Sequence, residues 1–418
     1  MEAAVPVLVA PVEPLRPVVA TAEDLLRCAS SLAAGHGRIA VDAERAGGYR
    51  YSQRAYLLQF NRRAAGTWLV DPTAIADFTP LADTLGGVDW VLHAASQDLP
   101  GLAELGLHPP RLFDTELAGR LLNVERVGLS AMTQEYLGVS LAKAHSAADW
   151  SRRPLPDAWL TYAALDVELL LDLADRLEDE LERRGRRSWA QEEFEAVRLA
   201  PPPDPQPERW RRVKGLKTKT PRSLAVVREL WRSRDELAQE LDQTPSKVMR
   251  DATIAAAASS PPRTFDELKK LPGMERERPA RRRRWLAAVE RALALPEDEL
   301  PPSRPAVGGT PNPRSWERID PELAAAYQRV RISLTEVADD VEIPRENLAP
   351  PRVVRDCLWD LRERLHTTEL RTAISDEEVA ERLSAGGARQ WQVSLAAAPM
   401  ATAMRTDGPE RPDDITRE

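Results

Sequence analysis

The chain has 418 residues, a net charge of −8 and 43% hydrophobic content, long enough for two to four domains and apolar enough for at least one full core. No run of 18 apolar residues occurs, which argues against a membrane-spanning helix. Two distant cysteines, Cys28 and Cys357, stand in no CxxC or Cys/His spacing, which argues against a disulfide scaffold or a zinc site and fits a reducing cytoplasm.

Residues 1–20, MEAAVPVLVAPVEPLRPVVA, carry acids and prolines and no leading basic cluster, so they read as a flexible tail rather than a signal peptide. Residues 21–200 begin with an amphipathic helix and continue as strands at RIAVDAE, AYLLQF and TWLV, then, after a helix, DWVLH. From Asp98 onward the pattern is helical, near Asp114 to Leu122, Leu129 to Leu137 and Asp157 to Arg184. Early strands followed by helices predict an α/β layer. Two proline-rich tracts, PPPDPQPE after Ala200 and LPPSRPAVGGTPNPR from Leu300, are too poor in periodic apolar residues to be packed elements. They are read as linkers at 201–212 and 298–314, separating helical pieces at 213–297 and 315–400 and leaving 401–418 as a disordered tail. The segment 234–251, RDELAQELDQTPSKVMRD, can be laid over 334–356, LTEVADDVEIPRENLAPPRVVRD, a weak internal repeat that predicts one small helical module used twice.

Charge is divided along the chain. Between residues 208 and 296 there are about 22 Lys and Arg against about 12 Asp and Glu, so one basic module sits in an otherwise acidic protein.

The acids worth attention come in order. Strand alternation places Asp42 and Glu44 on one face; Asp98 follows the strand ending at His93; Tyr162 and Asp166 lie four apart on one helix face. Singly, each has a bland reading: a solvated strand-end pair, a helix N-terminal acid, a structural pair. Their joint order is what carries information. Together with IAVDAERAGGYRYSQRAYLLQF, VLHAASQDLPGL, FDTELAGRLL and ADWSRRPLPDAWLTYAALDVELLLDL, it resembles the DEDD exonucleases of the Tyr subgroup, and within them ribonuclease D.

That resemblance implies an RNase H-like fold and a metal-dependent 3′-to-5′ exoribonuclease with two divalent ions, Mg²⁺ or Mn²⁺. Asp42 would bridge the ions, Glu44 and Asp166 would complete one, and Asp98 would support the other through water. Tyr162 would orient the attacking water. RNA, with tRNA precursors foremost, is the implied substrate; a DNA exonuclease and a catalytically silent RNA-binding protein are the rivals. The chain departs from the family at Arg45, where an aromatic residue is usual, and His93 reads as structural. Trp150, Arg152 and Arg153 are candidate RNA contacts, with burial and ion pairing as the alternative.

Residues 214–295 resemble the HRDC domain, a helical nucleic-acid-docking bundle. No GxxxxGK[ST] loop occurs, so neither a helicase motor nor a nucleotide cofactor is expected. Lys214, Lys217 and Lys219, and the run Arg281, Arg282, Arg283 and Arg284, are candidate phosphate contacts. The third piece resembles the further C-terminal helical domain of ribonuclease D relatives, or a second HRDC-like unit.

Overall fold

The computed structural model describes residues 5–142, 148–201, 208–217, 219–303 and 309–406. Its first part is a layer of five strands: β2 (His36–Arg45), β3 (Ala55–Arg63), β4 (Gly66–Val70), β5 (Trp90–Leu92) and β6 (Leu112–Asp114), in the order β4-β3-β2-β5-β6. The pairs β4/β3 and β3/β2 are antiparallel, whereas β2/β5 and β5/β6 are parallel. The mixed sheet is that expected of an RNase H-like layer. Helices α1 (Ala22–Ala34), α2 (Thr79–Leu85), α3 (Leu99–Ala103), α4 (Thr115–Leu121), α5 (Leu129–Leu137), α6 (Asp157–Glu168), α7 (Leu170–Arg183) and α8 (Arg187–Arg198) surround it.

Three expectations change here. Residues 5–20 are not a free tail: β1 (Val7–Leu8) pairs with β7 (Ser140–Leu141), Val19 bridges to Val70, and Arg16 donates to the Ala65 carbonyl. Proline-rich extended backbone has no periodicity to betray such packing, yet its free N–H groups can still be satisfied edge-on. The single helix expected from Asp157 to Arg184 is broken at Leu169, so that α6 lies against β2, β3 and β4 while α7 packs on α4 and α5. The strand β6, only three buried residues long, was too short for alternation to reveal.

The second part consists of α9 (Pro221–Glu240), α10 (Pro245–Val248), α11 (Asp251–Ser259), α12 (Phe265–Lys269) and α13 (Pro279–Ala294). It has its own apolar core around Leu230, Ile254 and Trp285. Trp210, within the tract read as a linker, is 2% exposed and belongs to that core.

The third part runs α14 (Trp316–Ile319), α15 (Pro321–Asp340), α16 (Arg345–Leu348), α17 (Pro351–Leu361), α18 (Thr368–Thr372), α19 (Asp376–Ala385) and α20 (Gln390–Arg405). Residues 401–405 continue α20, with Met404 fully buried, so the helix runs past the boundary at 400. Residues 407–418 lie outside the described residues.

The internal repeat is structural. In each copy a capping residue, Thr220 or Asp320, precedes Pro at the first turn of a 20-residue helix, as the fixed φ of proline favours. Each long helix ends in a turn with a left-handed residue, Asp242 (φ 45°) or Glu342 (φ 50°), and then enters a four-residue helix. Both turns dock on the first part. Asp242 accepts from Ser52 N (3.0 Å) and from the Tyr56 hydroxyl (3.4 Å), while the carbonyls of Val341 and Glu342 accept from Arg186.

The two modules nevertheless join the nuclease layer differently. The third part shares one continuous apolar core with it: Trp189 stacks on Trp391 at 4.9 Å, and the Trp391 indole donates to Glu193. The second part attaches through polar contacts on the loop between β2 and β3. Tyr51 donates to Asp235 and accepts from Gln239, Thr244 N donates to the Tyr49 carbonyl, and the Lys247 ammonium lies 4.0 Å from the Tyr49 ring centre.

Candidate active site

The site forms where the sheet runs out of partners. Strand β2 pairs with β5 only through Ile39 and Ala40, so beyond Val41 its β5-facing edge is open, and Asp42 and Glu44 stand on that overhanging half. Ala163 and Ala164 of α6 are fully buried; their small side chains let the helix settle onto the sheet and bring Asp166 over β2. Carboxylate oxygens of Asp42, Glu44 and Asp166 all lie within 4.8 Å of one another.

Asp98 closes the other side. It follows a short turn that begins at Ala94 with a left-handed backbone (φ 60°). That turn is pinned by Asp114, whose carboxylate accepts from Ala94 N (3.1 Å) and Ala95 N (2.8 Å) while also capping α4 through Glu116 N and Leu117 N. Asp114 thus aims Asp98, a positioning role missed in sequence, and its charge also helps raise Asp98. Its signal was present in FDTEL, an acid directly ahead of an apolar helical run.

Electrostatically the cluster is unbalanced. Burial, then repulsion from Asp42, Asp166 and Asp98, pushes Glu44 up to about 9. Burial raises Asp42 to about 6 against the pull of the Ala43 N–H and Arg45, and Asp98 and Asp166 are also raised, first by burial and then by Asp42. Among the described residues, the cation beside the cluster is Arg45, its Nε 3.8 Å from Asp98 and its guanidinium bonded to Gln97. One guanidinium does not neutralise four acids. A set of hard oxygen donors, crowded and short of positive charge, fits a divalent cation such as Mg²⁺ or Mn²⁺. Tyr162 hydrogen-bonds to Asp166, and burial followed by the charges of Asp166, Glu44 and Asp42 raises its phenol above the usual range, so it stays protonated.

His93 is no ligand. Its Nδ1 pairs with the Thr115 hydroxyl at 2.9 Å, and burial lowers its pKa to about 4, which favours the neutral imidazole.

The expected RNA contacts divide. Trp150 is fully buried, edge-on to Trp159, and offers no face to a base. Arg153 is forked onto Asp71 (2.5 and 2.6 Å) and donates to the carbonyls of Trp150 and Tyr56. In the ADWSRRPL stretch, Ser151 accepts from Arg50 and donates to Asp149, tying the β2–β3 loop to the segment ahead of α6. The motif is therefore scaffolding at Trp150 and Arg153, the outcome an aromatic beside paired arginines cannot distinguish from a stacking surface in sequence. Arg152 is exposed. In the basic run, Arg284 pairs with Glu236 and Glu240, Arg281 with Glu277, and Arg282 donates to the Glu275 carbonyl. Arg283, Lys214, Lys217 and Lys219 are exposed.

Residues 17–182 match the 3′-5′ exonuclease family, residues 223–289 the HRDC domain family, and residues 309–404 the family described as 3′ to 5′ exonuclease C-terminal domain. Ribonuclease D of Sphingobium indicum is 32% identical over 252 residues, 57% of this chain and 64% of that protein, slightly less than two thirds of its length. Ribonuclease D of Escherichia coli is 30% identical over 328 residues, 75% of this chain and 84% of that protein. Its crystal structure, described as an exoribonuclease involved in structured RNA processing, superposes with a TM-score of 0.66, 26% identity, and coverage of 94% of this chain and 99% of that one. A crystal structure of a protein from Bifidobacterium adolescentis is 37% identical with a TM-score of 0.86, covering 96% of this chain and all of that one. The open strand edge with its acidic cluster, the two helical modules and these likenesses agree: the chain belongs to the ribonuclease D family of metal-dependent 3′-5′ exonucleases.

Proposed function

We propose that this chain removes nucleotides hydrolytically from RNA 3′ ends, acting on tRNA precursors and other structured RNA. The observation that carries the reading is the convergence of Asp42, Glu44 and Asp166 within 4.8 Å on an open strand edge. Two divalent cations, Mg²⁺ or Mn²⁺, would supply an activated water and stabilise the attacking and leaving oxygens of the phosphodiester. Asp42 would be shared between them, Glu44 and Asp166 would hold one, and Asp98 would hold the other through water. Asp98 stands outside the tight cluster, with Arg45 beside it.

The remaining steps belong to the chain's own groups. Tyr162, held protonated beside Asp166, orients the attacking water and does not serve as a base. Asp114 keeps Asp98 in place. Lys214, Lys217, Lys219, Arg152 and Arg283 supply exposed positive charge that draws the polyanion toward an acidic site.

The test incubates the full chain with 3′-labelled and 5′-labelled RNA, with Mg²⁺, Mn²⁺ or chelator, beside DNA of the same sequence. Mononucleotides released from the 3′ label first, from RNA in preference to DNA and only with metal, are the expected result. Preference for DNA would replace the substrate assignment, and metal-independent release would overturn the mechanism. Tyr162→Phe is expected to lower kcat by about 10- to 100-fold with KM nearly unchanged, because only the positioning hydroxyl is removed. A rise in KM at constant kcat would make Tyr162 a binding residue instead.

A further inference from the structure

Where the HRDC module meets the nuclease layer there is a cleft of 660 Å³. Its walls include Arg50 and Tyr51 from the β2–β3 loop and Arg209, Arg212 and Trp231 from the helical module. Gly47 and Gln53 line both this cleft and the 330 Å³ cavity over Glu44 and Arg45, so the two adjoin at the loop that follows the acidic pair. Gly47 keeps the junction narrow only at Gln53: a Cβ at Gly47 would come within 3.1 Å of the Gln53 side chain, whereas one at Gly48 would meet nothing within 4 Å.

The charge in the cleft is positive and largely uncommitted. Four arginines line it against two aspartates, Asp235 and Asp251. Arg234 is paired with Asp251 at 2.7 Å, and Asp235 accepts from Tyr51. Arg50 uses its Nε on Ser151. Arg209 and Arg212 are exposed and form no ion pair among the described residues. This differs from the run at 281–284, where acidic neighbours occupy two of the arginines. Trp231, half-buried, and Tyr51 add aromatic surface. Guanidinium groups and aromatic rings along a concave wall are the ingredients of single-strand binding, phosphates on the former and bases on the latter.

We propose that this cleft holds the single strand of RNA immediately 5′ of the scissile phosphodiester, with Arg209 and Arg212 on its phosphates and Arg50 at the junction. The inference rests on the reading of the carboxylate site as an RNA exonuclease. A released mononucleotide would occupy one position only, whereas this cleft has twice the volume of the cavity over Glu44 and leads away from it. Because the HRDC module supplies one wall and the nuclease loop the other, the site exists only while Asp242, Asp235 and Thr244 hold that loop.

The test compares wild type with the full-length double variants Arg209→Glu/Arg212→Glu and Arg209→Gln/Arg212→Gln. Binding and hydrolysis are measured for a 5′-labelled RNA dinucleotide and for an unstructured strand of about a dozen nucleotides, binding being read with Ca²⁺ across several salt concentrations. The glutamate pair is expected to weaken affinity for the longer strand by about tenfold or more and to reduce the salt slope by about 1.4, two phosphate contacts on a single strand. The glutamine pair removes the same two contacts and should reduce the slope by about the same amount with a smaller loss of affinity, and the loss on the dinucleotide should stay under about twofold. Equal losses on both lengths, or affinities and slopes equal to wild type, would overturn the cleft assignment. Wild-type protein that binds the longer strand through Arg209 and Arg212 but hydrolyses no RNA would instead overturn the nuclease reading and leave the cleft standing.

Discussion

Asp42→Asn is expected to reduce hydrolysis by at least about a hundredfold, because a neutral amide cannot be shared between two cations whose mutual repulsion the carboxylate offsets. The same change should act in the opposite direction on the metal-free protein. Four carboxylates crowd there beside Arg45, so removing a charge relieves repulsion. In chelator the variant should melt about 2–6 °C above wild type. Added Mn²⁺ should stabilise wild type and leave the variant almost unmoved. More than about a tenth of wild-type rate, or an equal response of the two proteins to metal, would mean that Asp42 does not hold the ions.

Trp391→Ala should destabilise the nuclease layer, although Trp391 lies almost 200 residues beyond its last helix. The side chain is buried, stacked on Trp189 and bonded to Glu193, and removing a buried Trp costs about 3–5 kcal/mol. Denaturant unfolding followed by protection of α8 from hydrogen exchange would test this directly. Unchanged protection would show that α8 is held without the third part. At the junction with the second part, Tyr51→Phe removes the hydroxyl that donates to Asp235 and accepts from Gln239 and should cost only about 1–2 kcal/mol.

The contrast between what sequence revealed and what it concealed has a physical basis. Asp42 and Glu44 were legible because strand alternation fixes their common face, and Tyr162 and Asp166 because one helical turn does the same. Their convergence needed the order of the motifs, since no local pattern says that α6 settles on β2. The repeat at Asp242 and Glu342 was visible as a faint alignment because capping residues, prolines and turn lengths are local chemistry. Trp150 was ambiguous: amphipathic residues look alike whether they face a ligand or a core. The packing of residues 5–20 and of Trp210 was hidden in proline-rich tracts, where extended backbone pairs edge-on and leaves no periodic trace. Arg209 and Arg212, flanking Trp210, lie in that same tract without a dense charge run to mark them, whereas the denser run at 281–284 is partly neutralised by Glu236 and Glu240 of α9 and by Glu277 ahead of α13.

The continuous core between the nuclease layer and the third part also bears on how the protein is made. Helix α8 ends at Arg198, and the tryptophan that covers it arrives at position 391. At about 5–20 residues per second a ribosome needs roughly 10–40 s to bridge that interval. During it the HRDC module, with a core of its own, is free to fold, while the face of α8 stays uncovered and open to chaperones or proteases. A chain broken off before its final helix would carry all four carboxylates and Tyr162 on an incompletely buried scaffold, so a fragment with the means to degrade RNA is also one marked for early removal.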